Sequence, residues 1–165
     1  MAPLQHELRK RKPFDLAEQE AYLNLLRSCA VLSADFDALF KRHGLTQAQY
    51  NVLRILRGEA AKMPSLAVAE RLVTRVPDIT RLVDRLEQAG LVRRERCTDD
   101  RRVVYVAITP KGLSLLGELD EPVRALHRSQ LSHMSRADLK ALSILLEKAR
   151  KADEATQPSK TLPKT

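Results

Sequence analysis

Apolar positions recur at helical spacing along most of the chain, and one short stretch switches to the alternation of strands. Tyr22, Leu25, Leu26, Cys29, Leu32, Phe36, Leu39 and Phe40 trace one broad stripe that ends at Gly44. This predicts a long helix, opened by a capping-box pair at Asp15 and Glu18. Thr46 and Gln49 form a second such pair, with Leu45 and Tyr50 as the hydrophobic staple, and Val52, Leu53 and Leu56 continue that helix toward Gly58. Ser65 suits the cap of a short helix running to about Leu72, and residues 73–76 suit a turn. Pro77–Ala89 reads as a further helix, with Pro77 in its first position, Asp78 in its first turn and Gly90 just past its end. Ile79, Leu82, Val83 and Leu86 are its buried stripe. The period then drops to two: Val104, Val106 and Ile108 fall on one face of a strand and Val103, Tyr105 and Ala107 on the other. That strand, coverable on both sides, pairs with the short charged arm Leu91–Arg96 across a tip rich in Asp and Arg. Thr109 and Pro110 open another helix bearing Leu113, Leu116, Leu119, Val123, Leu126 and Leu131, which Pro122 should kink or break. Ser135, with Asp138 three residues on, opens a last helix lined by Leu139, Leu142, Leu145, Leu146 and Ala149.

Helix, turn, helix and two-stranded ribbon in that order make a winged helix-turn-helix over residues 45–109. The expected fold is mainly α with a small two-stranded β-wing. The helices of 14–44 and 110–151 hold more apolar face than such a module needs to cover itself, so they are expected to dimerise the chain. Residues 1–13 read as a flexible basic arm and 152–165 as a disordered tail.

Composition narrows the function. The 165 residues carry a net charge of +8, but most of the excess lies in the two terminal segments, so total charge is weak evidence for a polyanionic partner. Residue type says more: all nine basic residues of 64–109 are arginine, which forks onto phosphate or guanine where lysine acts as a point charge. A solvated surface laced with ion pairs accounts for any single one of them, less well for the set. The two cysteines match no metal or disulfide spacing, and the N-terminus has no apolar leader. No apolar run approaches the roughly twenty residues of a membrane span. A reducing, cytoplasmic setting follows as the expectation. No glycine-rich phosphate loop, nucleophile elbow or metal signature is present, so neither an enzyme nor a cofactor is expected. His6, His43, His127 and His133 are scattered and read as surface or helix-end residues, with no metal site expected.

The polar face of Pro77–Ala89 carries Pro77, Thr80, Arg81 and Asp84, with Arg85 beside it. Hydroxyl and guanidinium groups near a helix N-terminus can reach base edges. An arginine on a narrow ribbon fits a minor groove, and a nearby carboxylate can hold its guanidinium. The expected DNA-facing set is Ser65, Arg75, Pro77, Asp78, Thr80, Arg81, Arg85, Arg94, Asp100, Arg101 and Arg102.

Three segments, G-L-T-Q-A-Q-Y-N-V-L at 44–53, I-T-R-L-V-D-R-L-E-Q-A-G-L-V-R-R at 79–94 and D-R-R-V-V-Y-V-A-I-T-P-K-G at 100–112, resemble the MarR family of bacterial transcriptional regulators. The resemblance runs from about Tyr22 to Ala149. It implies a dimeric, sequence-specific DNA-binding repressor on a pseudo-palindromic operator, released by a small molecule or an oxidant. It implies that Arg102 enters the minor groove with Asp100 orienting it, that Thr80 and Arg81 meet bases, and that Arg75 meets phosphate. It also implies an effector crevice between the dimer helices and the DNA-binding lobe, for which Tyr22, Phe36, Phe40 and Tyr50 are candidates, although core packing explains these aromatics equally well. The peroxide-sensing branch places its reactive cysteine about where Tyr22 stands here. Cys29, on the apolar stripe, reads as a buried packing residue. Cys97, near the wing tip beside Arg94 and Arg96, reads as a tolerated surface thiol, with a redox sensor as the alternative. A winged helix that binds protein in place of DNA is the other alternative, and the arginine set argues against it.

Overall fold

Residues 3–59, 61–96 and 103–151 are described by the structure, a computed structural model. The wing tip, with Cys97, Asp100, Arg101 and Arg102, and the tail expected over 152–165 lie outside the described residues.

The basic leader is not extended throughout. It holds one helical turn, α1 (Leu4–Glu7), with Leu4 buried and Glu7 paired to Arg27 at 2.7 Å. Helix α2 (Ala17–Arg42) begins after Leu16, and no side chain caps it, so the expected Asp15–Glu18 box does not form. The apolar stripe of α2 divides along its length. Phe36, Leu39 and Phe40 are buried, whereas Tyr22, Leu25 and Leu26 are exposed. Cys29 is exposed as well, contrary to the buried position expected for it, because only the last two turns of α2 meet the core of its own chain. Gly44, at φ +69°, ends the helix with a backbone angle that strains any residue with a Cβ.

Helix α3 (Gln47–Glu59) starts with the expected reciprocal box: the Thr46 backbone N–H donates to Gln49 Oε1 at 2.8 Å, and the Gln49 N–H donates to Thr46 Oγ1 at 3.3 Å. Leu45 and Tyr50, the staple pair, are both buried. The helix runs through Gly58 before ending. Strand β1 (Met63–Pro64) follows, then α4 (Ser65–Glu70), α5 (Ile79–Gln88), β2 (Val92–Arg96) and β3 (Val104–Ile108). Ser65 is the first residue of α4, whose cap is Pro64, and α4 stops at Glu70, short of Leu72. The wing is three-stranded, not two-stranded. Met63 pairs with Val106 and Pro64 with Tyr105, so β1 extends the ribbon into an antiparallel sheet of order β1-β3-β2. A two-residue strand carries too little periodicity to be seen in sequence.

Helix α6 (Pro110–Gln130) passes unbroken through Pro122. The missing N–H and the ring clash of an interior proline cost about 3 kcal/mol. Burial of Leu116, Leu119 and Val123 on either side of it offsets that cost. The start of α6 is locked to the end of α5. Thr109 Oγ1 donates to the Gly90 carbonyl at 2.8 Å and accepts the Gly112 N–H at 3.1 Å, while Lys111 Nζ donates to the Ala89 carbonyl at 2.8 Å. Gly112 lies so close to Leu91, the residue before β2, that a Cβ there would clash with its carbonyl oxygen.

One core joins α2 through α6: Phe40, Leu53, Leu56, Val68, Val83, Leu86, Val106, Leu116 and Leu119 are almost wholly buried. The chain divides after Leu126 into two compact units. The second unit holds the last residues of α6, a turn and α7 (Arg136–Arg150), which opens with the expected box between Ser135 and Asp138. No residue of α7 is buried, and Leu142, Ile144 and Leu145 are exposed.

Candidate nucleic-acid interface

Helix α5 places the predicted reading residues by burying the opposite face. Val83 and Leu86 are inside, with Ile79 and Leu82 packed against them, so Thr80, Arg81 and Arg85 are exposed. Its start differs from expectation by two positions, at Ile79 where Pro77 was expected. Asp78 is the N-cap, its Oδ1 accepting the Arg81 backbone N–H at 3.0 Å, and Pro77 precedes the helix. An N-cap needs an extended backbone and a side-chain acceptor, and Asp78 supplies both. The same carboxylate lies 3.3 Å from Arg81 Nε, yet the Arg81 side chain remains 82% exposed. Its guanidinium is thus directed near the helix start while keeping access to a partner. Arg75 and Pro77, in the turn before α5, are exposed, and Ser65 is half-buried.

Arg94 has a different environment. Its backbone N–H donates to Glu87 Oε1 at 3.0 Å, its Nε donates to Glu87 Oε2 at 2.7 Å, and its Nη1 meets Asp84 Oδ1 at 2.5 Å. The side chain is only 31% exposed. Because β2 is an edge of the sheet, its outward N–H groups need a cover, and the Glu87 carboxylate provides one at Arg94. Hydrogen bonding to Arg94 holds the Glu87 carboxyl below the ordinary glutamate range, and hydrogen bonding to Glu87 raises Arg94 in return. Arg94 therefore ties the wing to α5. Asp84, placed by sequence on the polar face of α5, is its second anchor.

Other arginines and lysines are engaged too. Arg71 pairs with Glu59, and Arg57 of α3 forks onto Asp120 of α6 at 2.9 and 2.8 Å. Hydrogen bonding to Arg57 lowers Asp120 and, reciprocally, raises Arg57. Lys62 Nζ meets Glu95 Oε2 at 2.6 Å and lies 5.2 Å from the centre of the Tyr105 ring. Sequence reasoning missed these partners. The signal available for the Arg94 pairing was Asp84 and Glu87, three apart on one helical face beside an arginine-rich strand.

Of the four aromatics considered for an effector crevice, three pack together and one lies apart on the surface of the single chain. Phe40 stacks on Tyr50 at 4.4 Å between ring centres and on Phe36 at 6.1 Å, all three within the core, and burial pushes the Tyr50 phenol up. Tyr22 is 60% exposed. A groove of about 540 Å³ lies elsewhere, lined by Leu56, Arg57, Ala61, Lys62, Arg93, Glu95, Ala107, Ile108 and Leu113. His43 has its Nδ1 3.1 Å from the Leu39 carbonyl at the end of α2. Among the described residues no three His, Cys, Asp or Glu side chains gather as a metal-binding set, and no helix is long and apolar enough to cross a membrane.

Residues 45–104 match the model of the MarR family. A MarR transcription factor from Planctomyces limnophilus, known from its crystal structure, is 46% identical over 82% of this chain and 98% of its own, with a TM-score of 0.65. The homoprotocatechuate degradative operon repressor of Escherichia coli is 28% identical over 74% of this chain and 82% of its own. A mutant MarR from E. coli, crystallised with operator DNA, is 25% identical over 79% of this chain and 96% of its own, with a TM-score of 0.67. The exposed polar face of α5, the wing fastened to that helix and these likenesses agree, and the chain belongs to the MarR family of winged-helix transcriptional regulators.

Proposed function

We propose that this regulator acts in the cytoplasm as a homodimeric repressor on a pseudo-palindromic operator and is released by a small-molecule effector. The observation that carries the reading is the placement of Arg81: exposed, near the N-terminus of α5, and oriented by the Asp78 cap. In that position it reaches guanine N7 and O6 in the major groove, with Thr80 beside it, while Arg75 meets phosphate before the helix starts. Pro77 and Arg85 flank this surface. The resemblance assigns entry into the minor groove to Arg102, with Asp100 to orient it and Arg101 as its neighbour in sequence, all outside the described residues. Arg94 serves by position, keeping the wing in register with α5.

Dimer formation is supported by apolar surface that a single chain leaves open. Tyr22, Leu26 and Val31 of α2, and separately Ile144 and Leu145 of α7, are half or more exposed. Two-fold symmetry would set two α5 helices roughly 34 Å apart, one turn of duplex DNA. The repressor and operator named for the E. coli relatives support the same sign of regulation.

Selection of bound sequences from random duplex DNA, with sedimentation of the complex, tests this. A pseudo-palindrome bound by two chains is expected. Recovery of no preferred sequence, or binding by one chain, would refute it.

A further inference from the structure

A helix leaves its last carbonyls without partners of its own, and at the end of α5 the start of α6 supplies them. Gly90, at φ +70°, turns the chain there, with its own N–H on the Glu87 carbonyl at 2.8 Å and the Leu91 N–H on the Leu86 carbonyl at 2.9 Å. The carbonyls of Ala89, Gly90 and Leu91 then each take a donor from residues 109–111. Lys111 Nζ donates to Ala89 at 2.8 Å, Thr109 Oγ1 to Gly90 at 2.8 Å, and the Thr109 N–H to Leu91 at 3.0 Å. Ala89 is the C-cap of α5, so of these donors only Lys111 grips the helix itself. The Lys111 stem reaches Ala89 across the face of Gly90, its Cδ and Nζ both 3.9 Å from where a Cβ would stand. Side-chain packing does less at this end. The buried stripe of α5 stops at Leu86, whereas Gln88, Ala89 and Gly90 are exposed, and Ala89 borders a cavity of about 380 Å³ that Lys111 also lines.

We propose that Lys111 is a positioning residue for operator recognition. Without touching DNA, its ammonium fixes the C-terminal end of α5 against α6 and so sets the angle at which Thr80 and Arg81, at the other end, meet bases. An ammonium suits the negative end of a helix dipole. Ten residues make α5 roughly 15 Å long, so a shift of about 1 Å at one end turns it by roughly 4–8°. Val83 and Leu86, buried between the two ends, serve as the pivot. The helix contact stands on geometry alone; its part in recognition rests on the regulator reading above.

Lys111→Met keeps the stem and removes the donor, whereas Lys111→Arg keeps a cationic donor of similar reach. Amide residual dipolar couplings of the full chain without DNA give the direction of α5 relative to α3. Lys111→Met is expected to turn α5 by about 4° or more from its direction in the parent, and Lys111→Arg by less than about half of that. An α5 that keeps its direction in Lys111→Met overturns the proposal. So does one that turns equally in both variants, because the donor is then not what holds it.

On the selected operator, well below the melting temperature of each protein, Lys111→Met should lower discrimination at the base pair read by Arg81 about fivefold or more, the low end of what one bidentate contact supplies. Lys111→Arg should restore most of it. The slope of log affinity against log salt should match the parent in both variants. A slope shallower by about 0.9 in Lys111→Met, the value of one phosphate contact, would make Lys111 a DNA contact and overturn its positioning role. A helix that turns while discrimination stays intact overturns the role in recognition and leaves the regulator reading standing. A parent that prefers no sequence removes that reading and the recognition role with it, and the couplings still decide the helix contact.

Discussion

Glu87 takes three donors from one residue: the backbone N–H of Arg94 at 3.0 Å, its Nε at 2.7 Å and its Nη2 at 2.7 Å. A carboxylate on α5 thus covers part of a sheet edge and pairs with the side chain of the same strand residue. With Asp84 on the far side of the guanidinium, the wing and α5 are held as one piece.

Replacement of Arg94 by Ala should lower stability by about 1–2 kcal/mol, the range for a partly solvated charge-assisted network. Lysine should restore little of it, because a point ammonium cannot fork between Glu87 and Asp84. Urea denaturation of the three proteins measures this. Operator affinity of Arg94→Ala, taken where the variant remains folded, should fall through loss of wing register.

Acid should weaken the same clamp in a defined direction. The folded-state pKa values of Glu87 and Asp120 are depressed, chiefly by hydrogen bonds from Arg94 and Arg57. Their stabilising contribution is therefore fully present above the ordinary carboxylate range, near pH 4, and is lost as pH falls below it. Parent and Glu87→Gln should differ in stability by a constant amount from pH 7 to about pH 5 and converge in stronger acid. A gap that widens with acid would contradict the sign.

Asp78 and Arg81 touch, yet their substitutions should separate. Asp78→Ala removes an N-cap and should cost about 1 kcal/mol of stability. Arg81→Ala keeps the backbone N–H that the cap binds, so stability should change by less than about 0.5 kcal/mol. Its expected effect is on sequence preference, with discrimination at one operator position falling by about 1–3 kcal/mol. Thermal melts and competition binding against single-base operator variants read out the two effects.

Gly112→Ala should destabilise the junction of α5, β2 and α6 by about 1–3 kcal/mol. The clash is with backbone, the Leu91 carbonyl oxygen, which cannot rotate away. Gly117→Ala, where an added Cβ meets nothing within 4 Å, is the control and should be neutral or slightly stabilising in a melt.

Much of the local structure was legible in the sequence. The Thr46–Gln49 and Ser135–Asp138 boxes, the glycine stops at Gly44 and Gly90 and the stripe of α5 were read correctly. Each depends on residues within about four positions of one another, where spacing alone fixes who meets whom. The Asp15–Glu18 box was misread because the helix starts one residue too late for it, with Leu16 in the cap position. Of the kink or break expected at Pro122, no break occurs, because packing around a helix, absent from its own pattern, overrides the proline.

By itself the sequence determined the kinds and order of the elements and the abundance of arginine around the wing and α5. Only the tertiary structure decided what each charge does. Arg57 finds Asp120 sixty-three residues away, Arg71 finds Glu59, Arg94 finds Glu87 and Asp84, and Arg81 is left reaching into solvent. The aromatic residues were sorted in the same way, Phe40 and Tyr50 into a stack and Tyr22 onto the surface. Periodicity and caps are interactions along the chain, whereas a guanidinium has the same chemistry at every position until folding brings a carboxylate to it or leaves it open.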